Sequence, residues 1–244
     1  MEEIRLPGGW INEVVRVGDT VRRPLRSRSR FVHELLKLLR QRGWPAAPRF
    51  LGVDERDREI LSHIPGHVPW QECRTPGVTS RRALARVAEL VREFHDLTAG
   101  TALAGAEEVV CHNDLSPKNT VYRGPDDGLL PVAFIDWDLA APGSRIQDVA
   151  HVCWQYLDLG PSVTDLADTG RSLRLICDAY GLTGRDGLVE TILWWQDRCR
   201  HGIEAGAAAG DPAMRRLLHA GVPGSLRAAY AWVAHHRSEL ERRL

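Results

Sequence analysis

His112-Asn113-Asp114-Leu115-Ser116-Pro117-Lys118-Asn119 is the stretch that decides how this chain is read. Short runs rich in β-branched and aromatic residues flank it, Val109-Val110-Cys111 before and Thr120-Val121-Tyr122 after, and both read as strand. A third run, Pro131 to Phe134, ends on Ile135-Asp136-Trp137-Asp138, and the turn Gly124-Pro125-Asp126-Asp127-Gly128 separates it from the second. A loop, a hairpin and a strand end therefore bring Asp114, Asn119 and Asp136 to one edge. Singly, a strand-end aspartate is more often a turn former than a ligand. Jointly, the three supply two hard oxygen ligands for a divalent cation and a carboxylate able to take a proton.

Working outward, residues 3 to 24 alternate apolar and polar side chains around Gly18-Asp19, which predicts a β-hairpin. From Ser27 or Ser29 to Gly43 the period becomes helical, with Val32, Leu35, Leu36 and Leu39 on one face. Residues 49 to 64 predict a second hairpin, ended by Pro65-Gly66. Thr79 or Ser80 caps a helix whose stripe is Leu84, Val87, Leu90, Val91 and Phe94. Beyond Arg145 the pattern is helical, with breaks at Gly160-Pro161, Gly181 to Gly187, Gly206 to Pro212 and Gly221 to Gly224. The outline is α+β: a small, mostly antiparallel β lobe over residues 1–64, a linker near 62–68, and a larger, mainly helical lobe over 65–244. A cleft between two such lobes is a natural ligand site.

The 244 residues carry 32 basic and 32 acidic side chains, so no net field draws the chain to nucleic acid or to a membrane surface. The five cysteines (Cys73, Cys111, Cys153, Cys177 and Cys199) have no CxxC spacing, which predicts reduced thiols rather than a disulfide frame or zinc site. Met1 to Trp10 has no apolar core of a signal peptide, and no apolar run reaches bilayer length, so a cytoplasmic protein is expected, monomer or homodimer. Lys37 and Lys118 are the only lysines.

The loop fits the template H-x-D-L-x-x-x-N of kinase catalytic loops. With the segments VVCHNDLSPKNTVYRG and PVAFIDWDLAAPGSRIQDVA, it resembles the aminoglycoside phosphotransferase and choline kinase family, which has a protein-kinase-like two-lobe fold. The resemblance implies magnesium-dependent phosphorylation of a small-molecule hydroxyl by ATP, with GTP the alternative donor. It implies Asp114 as general base, His112 steadying the loop, Asn119 and Asp136 as magnesium ligands, and Asp148 as a buried helix aspartate bonded to the loop backbone. Backbone groups of the linker, at Ser62 and Ile64, would meet adenine.

The N-terminal lobe departs from the pattern. Kinases carry a phosphate-binding lysine on the third strand, paired to a helix glutamate, but here that strand is Thr20-Val21-Arg22-Arg23-Pro24. Alternation turns Arg23 inward with Val21, and arginine can hold phosphate bidentately. Glu34 is the expected helix partner, with His33 a near competitor. Gly8-Gly9 stands in for a glycine-rich loop. On the acceptor side, Asp138, Asp197 and Glu204, together with Asp158, Asp165, Asp168 and Asp211, are candidates for an anionic pocket suited to a cationic antibiotic. Trp154, Trp194 and Trp195 are candidate lining, and the Gly/Ala stretch 205–210 is a candidate lid. A metabolic kinase acting on choline, a sugar or an amino alcohol is the alternative, as is a nucleotide- or drug-binding immunity protein without turnover.

Overall fold

A computed structural model describes residues 2–6, 14–70, 77–125 and 128–244. Gly8 and Gly9, expected near phosphates, lie outside the described residues, as does Cys73. The first unit is a five-stranded antiparallel sheet of order β1-β2-β3-β5-β4, from Ile4–Arg5, Val15–Val17, Thr20–Pro24, Phe50–Val53 and Arg58–Ser62. Gly18 turns β2 into β3 with φ at 58°, and the Thr20 hydroxyl donates to Val17 O at 2.7 Å across the turn. Asp54 closes the β4–β5 turn by accepting from the Arg56 and Arg58 N–H groups, both at 3.0 Å. Between the hairpins runs α1 (Ser29–Gln41), which buries Val32, His33, Leu35, Leu36 and Leu39.

The second unit centres on α2 (Arg81–Thr98), whose Ser80 cap accepts from Ala83 N–H at 3.2 Å. Two hairpin-like pairs follow, β6 (Val109–Cys111) with β9 (Ala141–Gly143) and β7 (Thr120–Arg123) with β8 (Leu130–Phe134). Helices α3 (Arg145–Leu157), α4 (Leu166–Tyr180), α5 (Leu188–Ala208), α6 (Pro212–His219) and α7 (Val222–Arg242) complete the chain. Asp165 and Asp211 cap α4 and α6, and Gly181, at φ 77°, ends α4. Stretch 205–210 is no lid: α5 runs through it to Ala208, and a Cβ on Gly206 would lie 2.5 Å from Met214 Cγ. One apolar core runs from α1 through α2 to α7. Among the described residues no helix is long and apolar enough to cross a membrane.

Two backbone contacts help hold the sheet unit and the linker against the helical unit. Phe134 N–H at the end of β8 donates to Ala46 O at 2.9 Å, just after α1. In the linker, His67 and Tyr122 exchange both backbone bonds, at 2.9 and 2.8 Å. Gly66 makes that approach possible, since a Cβ there would stand 2.4 Å from Val121 Cγ1 and 2.6 Å from Tyr122 O. Gly66→Ala is therefore expected to force the linker off β7 and to cost about 1–3 kcal/mol, measured by urea denaturation.

His151 on α3 is buried beneath the 112–119 loop, where its Nδ1–H donates to Leu115 O at 2.9 Å. The rings of Trp154 and Trp195 meet it edge-on. Burial pulls its pKa from 6.5 down to about 4, so the native ring stays neutral while the unfolded one protonates first. A depressed histidine contributes stability above its unfolded pKa and loses it as pH falls. We expect His151 to cost about 1.4 kcal/mol per pH unit between about pH 6.5 and 4. His151→Gln should remove that part of the slope in denaturation curves taken across this range.

Candidate active site

The loop after β6 is shaped from below by Asp148 of α3, which is fully buried. Its Oδ2 accepts from His112 N–H at 2.7 Å and its Oδ1 from Asn113 N–H at 2.9 Å. His95 of α2 adds a third bond, Nε2–H to Oδ2 at 3.1 Å, while its Nδ1 accepts from the Tyr180 hydroxyl at 2.8 Å. Burial alone would raise the Asp148 carboxyl. The His95 bond, the neighbouring imidazoles and the Asn113 N–H outweigh it and hold the pKa below the usual range. Asn113 takes φ 66°, a conformation asparagine tolerates better than most residues, and its Nδ2 donates to Leu139 O at 3.0 Å. His112 is also buried. Its Nδ1 accepts from Asp114 N–H at 3.3 Å, its Nε2–H donates to Ile135 O at 3.1 Å, and its ring lies 4.4 Å from that of Trp137. It thus ties the loop to the end of β8.

Asp114 is met by the buried Asn119, whose Nδ2 donates to Asp114 O at 2.9 Å and to Asp114 Oδ2 at 2.7 Å. Both amide hydrogens are used there, so Asn119 Oδ1 is the atom left to meet a cation. Burial raises the Asp114 carboxyl, against the pull of Lys118 and His112. Asp136 takes φ 62° at the strand end, and its side chain is half exposed. Ile135 N–H donates to Asn119 O at 2.9 Å, which sets the Asp136 strand end beside the Asn119 turn.

Arg23 arrives from the sheet unit and is buried, with every nitrogen of its guanidinium on a carboxylate. Nε donates to Glu59, NH1 to Asp136 Oδ1 at 3.1 Å and NH2 to Asp138 Oδ1 at 2.6 Å. Burial works to lower its pKa, but Asp138, Glu59 and Asp136 together raise it, so the cation is secure. Asp138 is pushed up by burial despite the Arg23 charge.

The expected helix partner is not the partner. Glu34 points to solvent and accepts from Lys37 Nζ at 2.8 Å, because position 34 lies one step off the apolar stripe of α1. His33 faces inward instead and bonds Glu59 Oε2 at 2.6 Å. Glu59, absent from the expected set, shares strand parity with the buried Leu61, and that alternation was the available signal.

The linker and acceptor side also differ from expectation. Ser62 N–H is taken by Arg49 O at 2.9 Å, and Ser62 Oγ accepts from Arg49 N–H at 2.8 Å. Ile64, partly buried against the core, remains the linker candidate for a base. Asp138 is engaged by Arg23. Asp197 and Glu204 are both bridged by Arg200 at 2.7 Å, and Glu204 also meets Arg227 at 3.2 Å. Asp168 pairs with Arg81 and Arg171. These carboxylates therefore form no free anionic pocket. Trp154 and Trp195 are core residues, whereas Trp194 is exposed beneath the Arg198 guanidinium, 5.1 Å from its ring centroid. Cys199 on α5 feels the Asp114 charge, and burial first and that charge second push its thiol up to about 11.

The chain matches a family described as phosphotransferase enzyme family over residues 2–108 and 98–188. It is 30% identical over 267 residues to a trifolitoxin immunity protein of Rhizobium leguminosarum bv. trifolii, covering 98% of each chain. The fold matches a choline/ethanolamine kinase family protein from Mesorhizobium loti, with a TM-score of 0.60, 15% identity and coverage of 100% of this chain and 91% of that one. It also matches an aminoglycoside 2'-phosphotransferase-IIIa in its GDP complex, with a TM-score of 0.62, 12% identity and coverage of 97% and 93%. A loop braced by a buried aspartate, a two-lobe α+β fold and a family match across most of the length agree: this chain belongs to the phosphotransferase enzyme family.

Proposed function

We propose that the chain transfers the γ-phosphoryl group of ATP or GTP to a hydroxyl of a small molecule, with Asn119 and Asp136 holding magnesium. The observation that carries this reading is the Asn119–Asp114 pair, which uses both Asn119 amide hydrogens and leaves its Oδ1 as the free ligand atom beside a carboxylate of raised pKa. The donor set fits: Asn119 Oδ1 and the half-exposed Asp136 carboxylate are hard oxygens of the kind magnesium takes. When bound, the ion would neutralise charge on the β- and γ-phosphates.

The protein's own part is positioning and charge. Asp114 Oδ2 is held by Asn119, so Oδ1 is the atom that accepts the acceptor's hydroxyl proton. The hydroxyl oxygen then bonds to γ-phosphorus as the bond from phosphorus to the β–γ bridging oxygen breaks, releasing the nucleoside diphosphate. His112 and Asp148 keep the loop in place while this happens. Arg23 supplies a cation already joined to both strand-end carboxylates, on the side where the phosphates would lie.

The similarity to a trifolitoxin immunity protein supports a protective role against a toxin. The arginine-matched acids on α5 give no particular support to a polycationic acceptor. A second reading, sequestration of a toxin or drug without turnover, is supported by the same relative's name as an immunity protein.

Nucleotide consumption measured against a panel of hydroxylated antibiotics, choline, amino alcohols and sugars separates the two readings. Acceptor binding with no nucleotide consumed would favour sequestration. If transfer occurs, Asp114→Asn is expected to lower turnover by about 10²- to 10⁴-fold with nucleotide affinity retained. Asp136→Ala is expected to weaken magnesium-dependent nucleotide binding in calorimetry. Equal loss of affinity and turnover in a folded Asp114→Asn protein would overturn the base assignment.

A further inference from the structure

Glu59 presents a fully buried carboxylate on β5, and a buried charge persists only where it is paired and hydrogen-bonded. Both oxygens are accounted for. One accepts from Arg23 Nε, and the other meets His33 Nε2 at 2.6 Å. His33 is itself fixed, its ring stacked on Phe50 with centroids 3.7 Å apart and planes 17° from parallel. Arg23 and Glu59 are also direct cross-strand partners in the β3–β5 ladder, two residues along from the Val21–Leu61 pair and so on the same sheet face.

From this we infer that Glu59 is the residue that positions Arg23 for phosphate, and that His33 of α1 locks Glu59 in place. The inference rests on the nucleotide-transfer reading given above. Anchoring Nε from within the sheet aims the remaining edge of the guanidinium, NH1 and NH2, at Asp136 and Asp138 in the cleft. Arginine suits this arrangement because its planar fork can be held on one edge while it presents the other; a lysine has no second edge.

The location of the acid has a mechanical consequence. A pair between a strand and a helix exists only while the helix sits in place, and kinases use that dependence for control. Here cation and carboxylate share one hydrogen-bonded ladder, so the pair assembles whenever the sheet folds. α1 contributes an imidazole behind the acid, and its own Glu34 is turned to solvent.

The test is magnesium-nucleotide affinity by calorimetry on the full chain, with melting temperature recorded for each protein. Glu59→Gln keeps the shape and removes the charge, and a loss of about 10- to 100-fold in affinity is expected, the size usual for residues that orient another ligand. Glu34→Gln should stay within about twofold of the parent, since it touches none of these groups. In a double-mutant cycle, Glu59→Gln placed on Arg23→Ala should add less than about twofold, because its effect passes through Arg23. Undiminished affinity in a folded Glu59→Gln protein overturns the inference, as do losses that multiply in the double variant. If Glu59→Gln does not fold, Glu59→Asp, one methylene short, should give an intermediate loss, and unchanged affinity there overturns the inference equally. A parent protein that binds no nucleotide would instead overturn the reading of the site itself.

Discussion

The Asp148 carboxylate is the constraint on which the site depends. It is buried and charged, and it survives there because two backbone N–H groups of the 112–113 turn and one imidazole N–H converge on it. Each of those donors would itself be costly to bury unpaired. Loop and carboxylate therefore stabilise one another, and neither arrangement is available without the other. The consequence reaches further than the turn. Asn113 is held in a left-handed conformation, which directs the chain so that His112 can bond Asp114 N–H on one ring nitrogen and Ile135 O on the other. The proposed base and the strand end carrying Asp136 are placed relative to each other by that one ring.

A second electrostatic knot joins the sheet to this loop. Arg23 faces three carboxylates, from β5 and from the 136–138 turn, and it is the only side chain described that touches all of them. Without it, Asp136 and Asp138 would be two like charges close together beside a third, in a partly dry cleft. With it, the cluster stays net negative, which suits a site expected to gather cations. The acids of α5 behave differently. Asp197 and Glu204 lie within one helical turn of Arg200 and are matched locally, as i,i+3 and i,i+4 pairs are on any solvated helix face.

Much of the architecture was legible in the chain. Hairpins around Gly18-Asp19 and between β4 and β5, the cap at Ser80, and helix breaks at Gly181 and Gly221 all follow from local rules of turn and cap chemistry. The spacing of Asp114, Asn119 and Asp136 was legible for the same reason, being carried on one loop and one hairpin. Alternation on β3 turned Arg23 inward because strand period is strict and its neighbour Val21 is apolar.

Other features needed the tertiary structure. Glu34 looked like the partner of Arg23 because its residue type fits, but a helix face is set by what packs on it, and α1 rotates His33 inward. Glu59 lies 36 positions from Arg23 along the chain, and only the β3–β5 register makes them neighbours. Asp138, Asp197 and Glu204 read as a possible acceptor pocket until their arginines were located. The main strands and helices and the spacing within the 112–119 loop could be read from the chain alone, because they depend on residues within a few positions of one another. Only the tertiary structure decided which charges are paired, because burial and Coulomb energy depend on distance in space.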